Sequence, residues 1–170
     1  CTALRTELDA EIALSPGFRW GVTALSGQAL TMEDLLAETA ITYPETYVQE
    51  MTGAEIKDVL EDICDNLFNT DPYYQQGGDM VRAGGLSYTC TPNAAIGSRI
   101  SELKLNSGKA LGASHRYKVA GWASVTGRQG APVWDVVGKY LSSGRMFPER
   151  LGSGVTLRGV EDNPGITGQG

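Results

Sequence analysis

Thr52–Phe68 reads T-G-A-E-I-K-D-V-L-E-D-I-C-D-N-L-F. Ile56, Val59, Leu60, Ile63, Cys64 and Leu67 recur at the spacing of one helix face, so the stretch predicts an amphipathic helix. Thr52 stands where its N-cap belongs. Just before it, Pro44–Met51 reads as a strand, with Tyr47 and Val48 flanked by polar residues. Further upstream, Thr31 followed by Asp34 makes a capping pattern ahead of a helix over TMEDLLAET. Ala10–Leu14 is a short apolar strand candidate, preceded by the last turns of a helix at residues 2–9. Pro16 and Gly17 break regular structure after that strand, so Ser15–Gly21, SPGFRWG, is a loop.

Downstream of the central helix, Asn69–Gly78, NTDPYYQQGG, is a polar and aromatic loop. Leu86–Thr91, Arg99–Leu105 and Tyr117–Ala123 are strand candidates separated by turn residues. Pro132 opens a final helix, PVWDVVGKYL. Residues 152–170 carry little apolar pattern beyond VTLRGV, and the last ten read as a tail. No repeat is visible. Helices and strands alternate at first and strands then cluster, which predicts an α+β (mixed α/β) domain built on a mixed sheet flanked by helices. Residues 1–150 form that domain in this reading, and 151–170 a C-terminal extension.

Hydrophobic residues make up 41% of the 170, enough for a sizeable core. The net charge of −6 argues against a nucleic-acid partner, which needs a basic face. It leaves room for a small anion held in a locally basic pocket. The three cysteines, Cys1, Cys64 and Cys90, show no metal spacing, and their odd number does not suggest a disulfide framework. Cys64 is expected to be a core thiol. There is no signal peptide and no apolar run of membrane length. A chain whose start lies inside a longer protein would not show a leader, so the compartment is not legible in these residues.

The residues for a complete hydrolytic site are missing. The one histidine, His115, sits in a turn ahead of a strand and is expected at the surface. No G-x-S-x-G elbow, phosphate-binding loop or G-x-G-x-x-G follows a strand. With one histidine and no ligand cluster, the isolated chain is expected to bind no manganese tightly. Catalytic and metal residues are therefore expected to be none in this chain alone.

Three places still resemble a binding site. Arg19 follows a strand end between Phe18 and Trp20, and a guanidinium there offers an oxyanion a fork of donors. The bland alternative pairs Arg19 with a surface carboxylate while the aromatics pack. The segment YYQQGGDMVR supplies Tyr73 and Tyr74 as hydroxyl donors, Gly77 and Gly78 for close backbone approach, and Asp79 and Arg82, which can pair with each other. Its alternative is a packed Ω-loop with a structural ion pair. Trp122, at a strand end in AGWASV, is either a ligand contact or a core tryptophan. Arg19 and the 73–82 loop are expected on one edge of the domain.

Taken in order, these segments resemble the C-terminal domain of 5′-nucleotidases and UDP-sugar hydrolases. The likeness runs from a strand through S-P-G-F-R-W-G and G-x-x-L-T-M-E-D to a strand entering M-T-G-A-E-I-K-D-V-L-E, and covers about Thr2 to Leu141. The family's substrate-contacting arginine, in a loop reading roughly N-G-G-G-I-R-S, falls on Arg19. Its Q-x-x-G-G segment falls near Gln76–Leu86. Gly121–Gly130, GWASVTGRQG, departs from the nucleotidase pattern, lacking the Phe and Asp of an N-F-x-x-x-G-G-D-G-type segment. The strings ALSPGFRWG, TAITYP, NLFNTDPYYQQGGDMVR and YKVAGWASV are instead similar to those of the SoxB-type thiosulfohydrolases within that family.

The SoxB resemblance implies a periplasmic, two-domain dimanganese hydrolase. Its N-terminal metallophosphatase-like domain, absent here, would hold both ions. It would hydrolyse the terminal sulfone of a cysteine S-thiosulfonate on the SoxYZ carrier and release sulfate. The present domain would cap the site, with Arg19 as anion clamp and Tyr73 or Tyr74 as hydroxyl donor. No nucleic acid or membrane is implied as a partner. Two other readings stay open: the cap of a nucleotidase or UDP-sugar hydrolase with altered base recognition, and a stand-alone binding module.

Overall fold

The computed structural model describes residues 1–17, 21, 23–41, 43–124, 130–145 and 154–162. In chain order these form α1 (Thr2–Glu7), β1 (Ile12–Ser15), α2 (Met32–Thr39), β2 (Thr46–Thr52), α3 (Gly53–Phe68), β3 (Arg82–Gly84), β4 (Leu86–Cys90), β5 (Ile100–Leu105), β6 (Arg116–Trp122), α4 (Val133–Ser142) and β7 (Val155–Leu157). Two sheets result. The larger has the order β2-β6-β1-β3, with β1 and β6 parallel and both outer strands antiparallel to their neighbours. The smaller, β5-β4-β7, pairs β4 antiparallel to β5 and parallel to β7. The expected mixed-sheet α+β architecture is present.

The starts of α3 and α2 close reciprocally. Thr52 Oγ1 accepts from the Glu55 amide at 3.2 Å, and the Thr52 amide donates to Glu55 Oε2 at 2.7 Å. Thr31 and Asp34 do the same for α2, at 3.2 and 2.8 Å. Each pair satisfies amide donors that a helix start leaves orphaned.

The alternation of side chains along a strand explains the layering. On the larger sheet, Ile12, Leu14, Tyr117 and Val119 face one way, into a core shared with Ile56, Leu60 and Cys64 of α3 and with Leu86, Tyr88, Cys90 and Ile100 of the smaller sheet. Ala13, Ala120 and Trp122 face the other way, against Leu4 of α1 and Val133 and Val136 of α4. Glu7 binds α1 to α4, accepting from Lys139 Nζ at 2.9 Å and Arg145 Nη1 at 3.1 Å. The larger sheet therefore lies between α3 on one face and α1 with α4 on the other.

Two three-residue strands escape the sequence reading. β3 is held by pairing with β1, and β7 by pairing with β4. β7 lies in the stretch read as a C-terminal extension, and there it completes the smaller sheet.

Candidate binding edge

The registers place three chain breaks side by side. Ser15 ends β1 opposite Arg82, which begins β3. Leu14 pairs with Gly121, so β6 ends at Trp122 beside the end of β1. The points where the chain leaves β1 and β6 and enters β3 thus lie along one edge, at the carboxyl ends of the two parallel strands. Open sheets place ligands outside such ends. The loops touch: a Cβ on Gly17 would collide with the Cβ of Asp79 and crowd the Met80 carbonyl, so only glycine permits this approach.

Of the residues singled out in the sequence, Phe18, Arg19 and Trp20 lie outside the described residues. Arg19 comes two positions after Gly17, which is at this edge. The sequence also placed the 73–82 loop here, and its last residues, Asp79–Arg82, do run along the edge beside Gly17 and Ser15.

The tyrosine loop is a braced projection rather than a packed Ω-loop. Tyr73 is 96% and Tyr74 66% exposed. The backbone below them is fastened: Asp71 caps a 3-10 turn by accepting from the Tyr73 amide at 3.0 Å. Asn69 Oδ1 accepts from the Asp71 amide at 2.9 Å, Gln75 Nε2 donates to the Asn69 carbonyl at 2.6 Å, and the Gly77 amide reaches back to Asn66 at 3.2 Å. Two phenol rings are thus presented to solvent on a rigid base. Gly77 and Gly78 both adopt positive φ, +76° and +94°, a region that favours glycine. Asp79 and Arg82 are exposed. The ion pair read from the sequence is not formed: neither side chain makes a salt bridge among the described residues.

Trp122 occupies the core position that was its alternative reading. It is 9% exposed, packs with α1 and α4, and donates from Nε1 to Ser15 Oγ at 2.9 Å. It ties the end of β6 to the end of β1. Ala123 follows at φ +63°, a strained turn for a residue with a side chain, where the chain leaves the sheet.

Sequence reasoning missed the support of the tyrosine loop. Arg99, 4% exposed, donates to the Pro92 carbonyl at 3.1 Å, to the Phe68 carbonyl at 3.4 Å and to the Asp65 carboxylate. Asp65 also accepts from Asn69 Nδ2 at 2.8 Å. Its bond with Arg99, then that with Asn69, hold its carboxyl below the ordinary range. Glu61, 4% exposed, accepts from the amides of Gly97, Arg99 and Ile100 at 2.9, 3.3 and 2.8 Å. Together these groups lock the end of α3, from which the tyrosine loop springs, to the β4–β5 connection.

Surface grooves between α2 and α4 lie elsewhere. Leu30, Leu35, Val137 and Leu141 line them, and among the described residues no Lys or Arg does. His115 is exposed, its ring edge-on to Tyr117 at 4.8 Å. Among the described residues no three His, Cys, Asp or Glu side chains come together as metal ligands.

Residues 1–135 match the family described as 5′-nucleotidase, C-terminal domain, and the chain belongs to that family. Its structure is similar to that of the sulfate thiohydrolase SoxB of Thermus thermophilus in complex with glycerol, with a TM-score of 0.80, 39% identity, and coverage of 93% of this chain and 31% of that one. A putative 5′-nucleotidase from Staphylococcus aureus in complex with alpha-ketoglutarate follows at TM-score 0.70, 17% identity, and 91% and 34% coverage. The NAD nucleotidase of Haemophilus influenzae gives 0.70, 16%, and 92% and 32%. These last two share the fold. The chain spans about a third of the length of each. No curated protein matches it.

Proposed function

We propose that this domain is the substrate cap of a SoxB-type sulfate thiohydrolase, acting in the periplasm on cysteine S-thiosulfonate carried by SoxYZ. The observation that carries the reading is the 39% identity with a sulfate thiohydrolase across 93% of the chain, against 17% and 16% with nucleotidases of the same fold. Trp122, in the segment that departs from the nucleotidase pattern, is committed to the core and so does not replace that pattern's missing Phe.

The described residues do not fit a dimanganese centre, so this reading assigns both ions to an N-terminal metallophosphatase-like domain outside the chain. Bound there, the ions would supply the nucleophilic oxygen. The cap's own part is anion recognition. A sulfonate spreads its charge over several oxygens, and the Arg19 fork can meet two at once. Tyr73 and Tyr74 offer phenol donors from a braced loop, and Arg82 adds positive charge at the same edge. An acidic protein can still do this, because the ligand is small and arrives tethered to a carrier.

The test is sulfate release by the full-length enzyme carrying substitutions at this edge. Arg19→Ala should cost about 2–4 kcal/mol of transition-state stabilisation, the scale of a lost oxyanion donor. Arg19→Lys should recover only part, and Tyr73→Phe or Tyr74→Phe should identify the hydroxyl donor. If Arg19→Ala lowers the melting temperature sharply yet leaves turnover per folded molecule intact, Arg19 is structural and the assignment fails.

A further inference from the structure

Cys64 and Cys90 meet in the middle of the core. Cys64 lies on α3 and is fully buried; Cys90 ends β4 and is 4% exposed. Their sulfurs are 3.4 Å apart. They are 26 positions apart in sequence, and the end of α3, the tyrosine loop and β3 lie between them. Sulfurs this close, between two buried side chains, must come together by only about 1.4 Å to reach the S–S bond length of about 2.05 Å.

We infer that Cys64 and Cys90 form a disulfide when the protein folds in an oxidising compartment. Such a bond would pin α3, one position before Asp65, to β4. Its closed loop would contain the whole segment that carries Tyr73, Tyr74 and Arg82. It would reinforce, from the apolar side, the attachment that Arg99 and Glu61 make from the polar side. Cys1, partly exposed and remote from this core, stays outside the pair.

The chemistry balances with a disulfide-bearing oxidant, either an oxidoreductase or oxidised glutathione. One cysteine, as thiolate, attacks the oxidant's disulfide and forms a mixed disulfide, releasing the first reduced thiol. The second cysteine, as thiolate, then displaces the remaining thiol and closes the Cys64–Cys90 bond. The pair gives up two electrons and two protons, and the oxidant becomes two thiols. In the folded molecule the hydrogen bond to Cys90, with burial, pushes the Cys64 thiol up, and solvent cannot reach it. Exchange therefore belongs to folding, before the core closes. Once made, the bond should resist reduction until the domain unfolds.

Trypsin separates the two cysteines cleanly. Cleavage after Lys57, Arg82 and Arg99 leaves Cys64 alone in peptide 58–82 and Cys90 alone in peptide 83–99. The full-length protein, exported to a bacterial periplasm, is denatured with an alkylating agent and mapped without reduction. The expected result is one linked 58–82/83–99 species, about 2 Da lighter than the two free peptides together, which reductant splits. Reducing the unfolded protein and refolding it with reductant should lower the melting temperature by roughly 5–15 °C. The Cys64→Ala/Cys90→Ala double variant should show no such difference. Both peptides recovered unlinked and alkylated, or either cysteine joined to another partner, would overturn the inference. The map is independent of sulfate release, so it stands or falls separately from the catalytic reading.

Discussion

Glu61 is a charged residue on the buried face of α3, and its replacement gives a sharp test of how the domain is held together. Its carboxylate accepts from three amides, those of Gly97, Arg99 and Ile100. Gly97 is exposed, so its amide can turn to water when the acceptor is lost. Arg99 and Ile100 are 4% and 0% exposed, so their amides cannot. A hydrogen bond to a charged acceptor contributes about 1.5–3 kcal/mol, and a buried donor left without a partner costs a similar amount. Two such amides place Glu61→Ala at about 3–5 kcal/mol of lost stability. For a chain of this size that lowers the melting temperature by roughly 6–20 °C. Glu61→Gln keeps one accepting oxygen but turns an NH2 group toward the remaining amides, and should lose about half as much. The assay is urea unfolding followed by circular dichroism, with a thermal melt alongside. A loss below about 1 kcal/mol for Glu61→Ala would refute the reasoning, because it would mean that the 97–100 turn finds other acceptors at no cost.

Two further outcomes follow from the same geometry. Bonds from the Thr52 amide and then its hydroxyl lower the Glu55 carboxyl below its usual value, and Thr31 does the same to Asp34. A depressed folded value means stability that is complete above the unfolded carboxylate range, near pH 4, and lost as pH falls through the folded values. Urea melts from pH 7 to pH 3 should show a shallower loss for Glu55→Gln than for wild type; equal slopes would contradict this. Gly17→Val should push the loop after β1 off Asp79 and Met80 and cost about ten- to a hundredfold in kcat/KM of the full-length enzyme, with little change in melting temperature. Unchanged kinetics would show that the contact of the two loops does not position the site.

What the sequence made legible was local. The 3.6-residue pattern and Thr52 located α3 to within a residue, and Thr31 with Asp34 located α2, because capping and amphipathicity are written within a few positions. β3 and β7 were not legible: three-residue strands have too few side chains to show alternation, and each exists only because a distant strand pairs with it. The parallel pairing of β1 with β6 and the contact of Cys64 with Cys90 have the same non-local origin. Glu61 and Arg99 were missed for another reason. A charge on a helix or at a strand start ordinarily faces water, and nothing in composition marks one that is buried against backbone amides and carbonyls. In the 73–82 loop, the glycines and tyrosines were legible as loop chemistry, and only its last residues, Asp79–Arg82, are placed at the binding edge. That Asp79 and Arg82 remain apart, and that Trp122 serves the core, depends on packing. Arg19, with Phe18 and Trp20, rests on its place in the sequence.

The central claim, a cap for sulfonate rather than nucleotide chemistry, is tested most directly by substrate choice. The full-length protein should be given thiosulfonate-loaded carrier in one reaction and AMP in another, with released sulfate and phosphate measured under identical conditions. The account predicts rapid sulfate release and negligible phosphate. Rapid AMP turnover without sulfate release would contradict it.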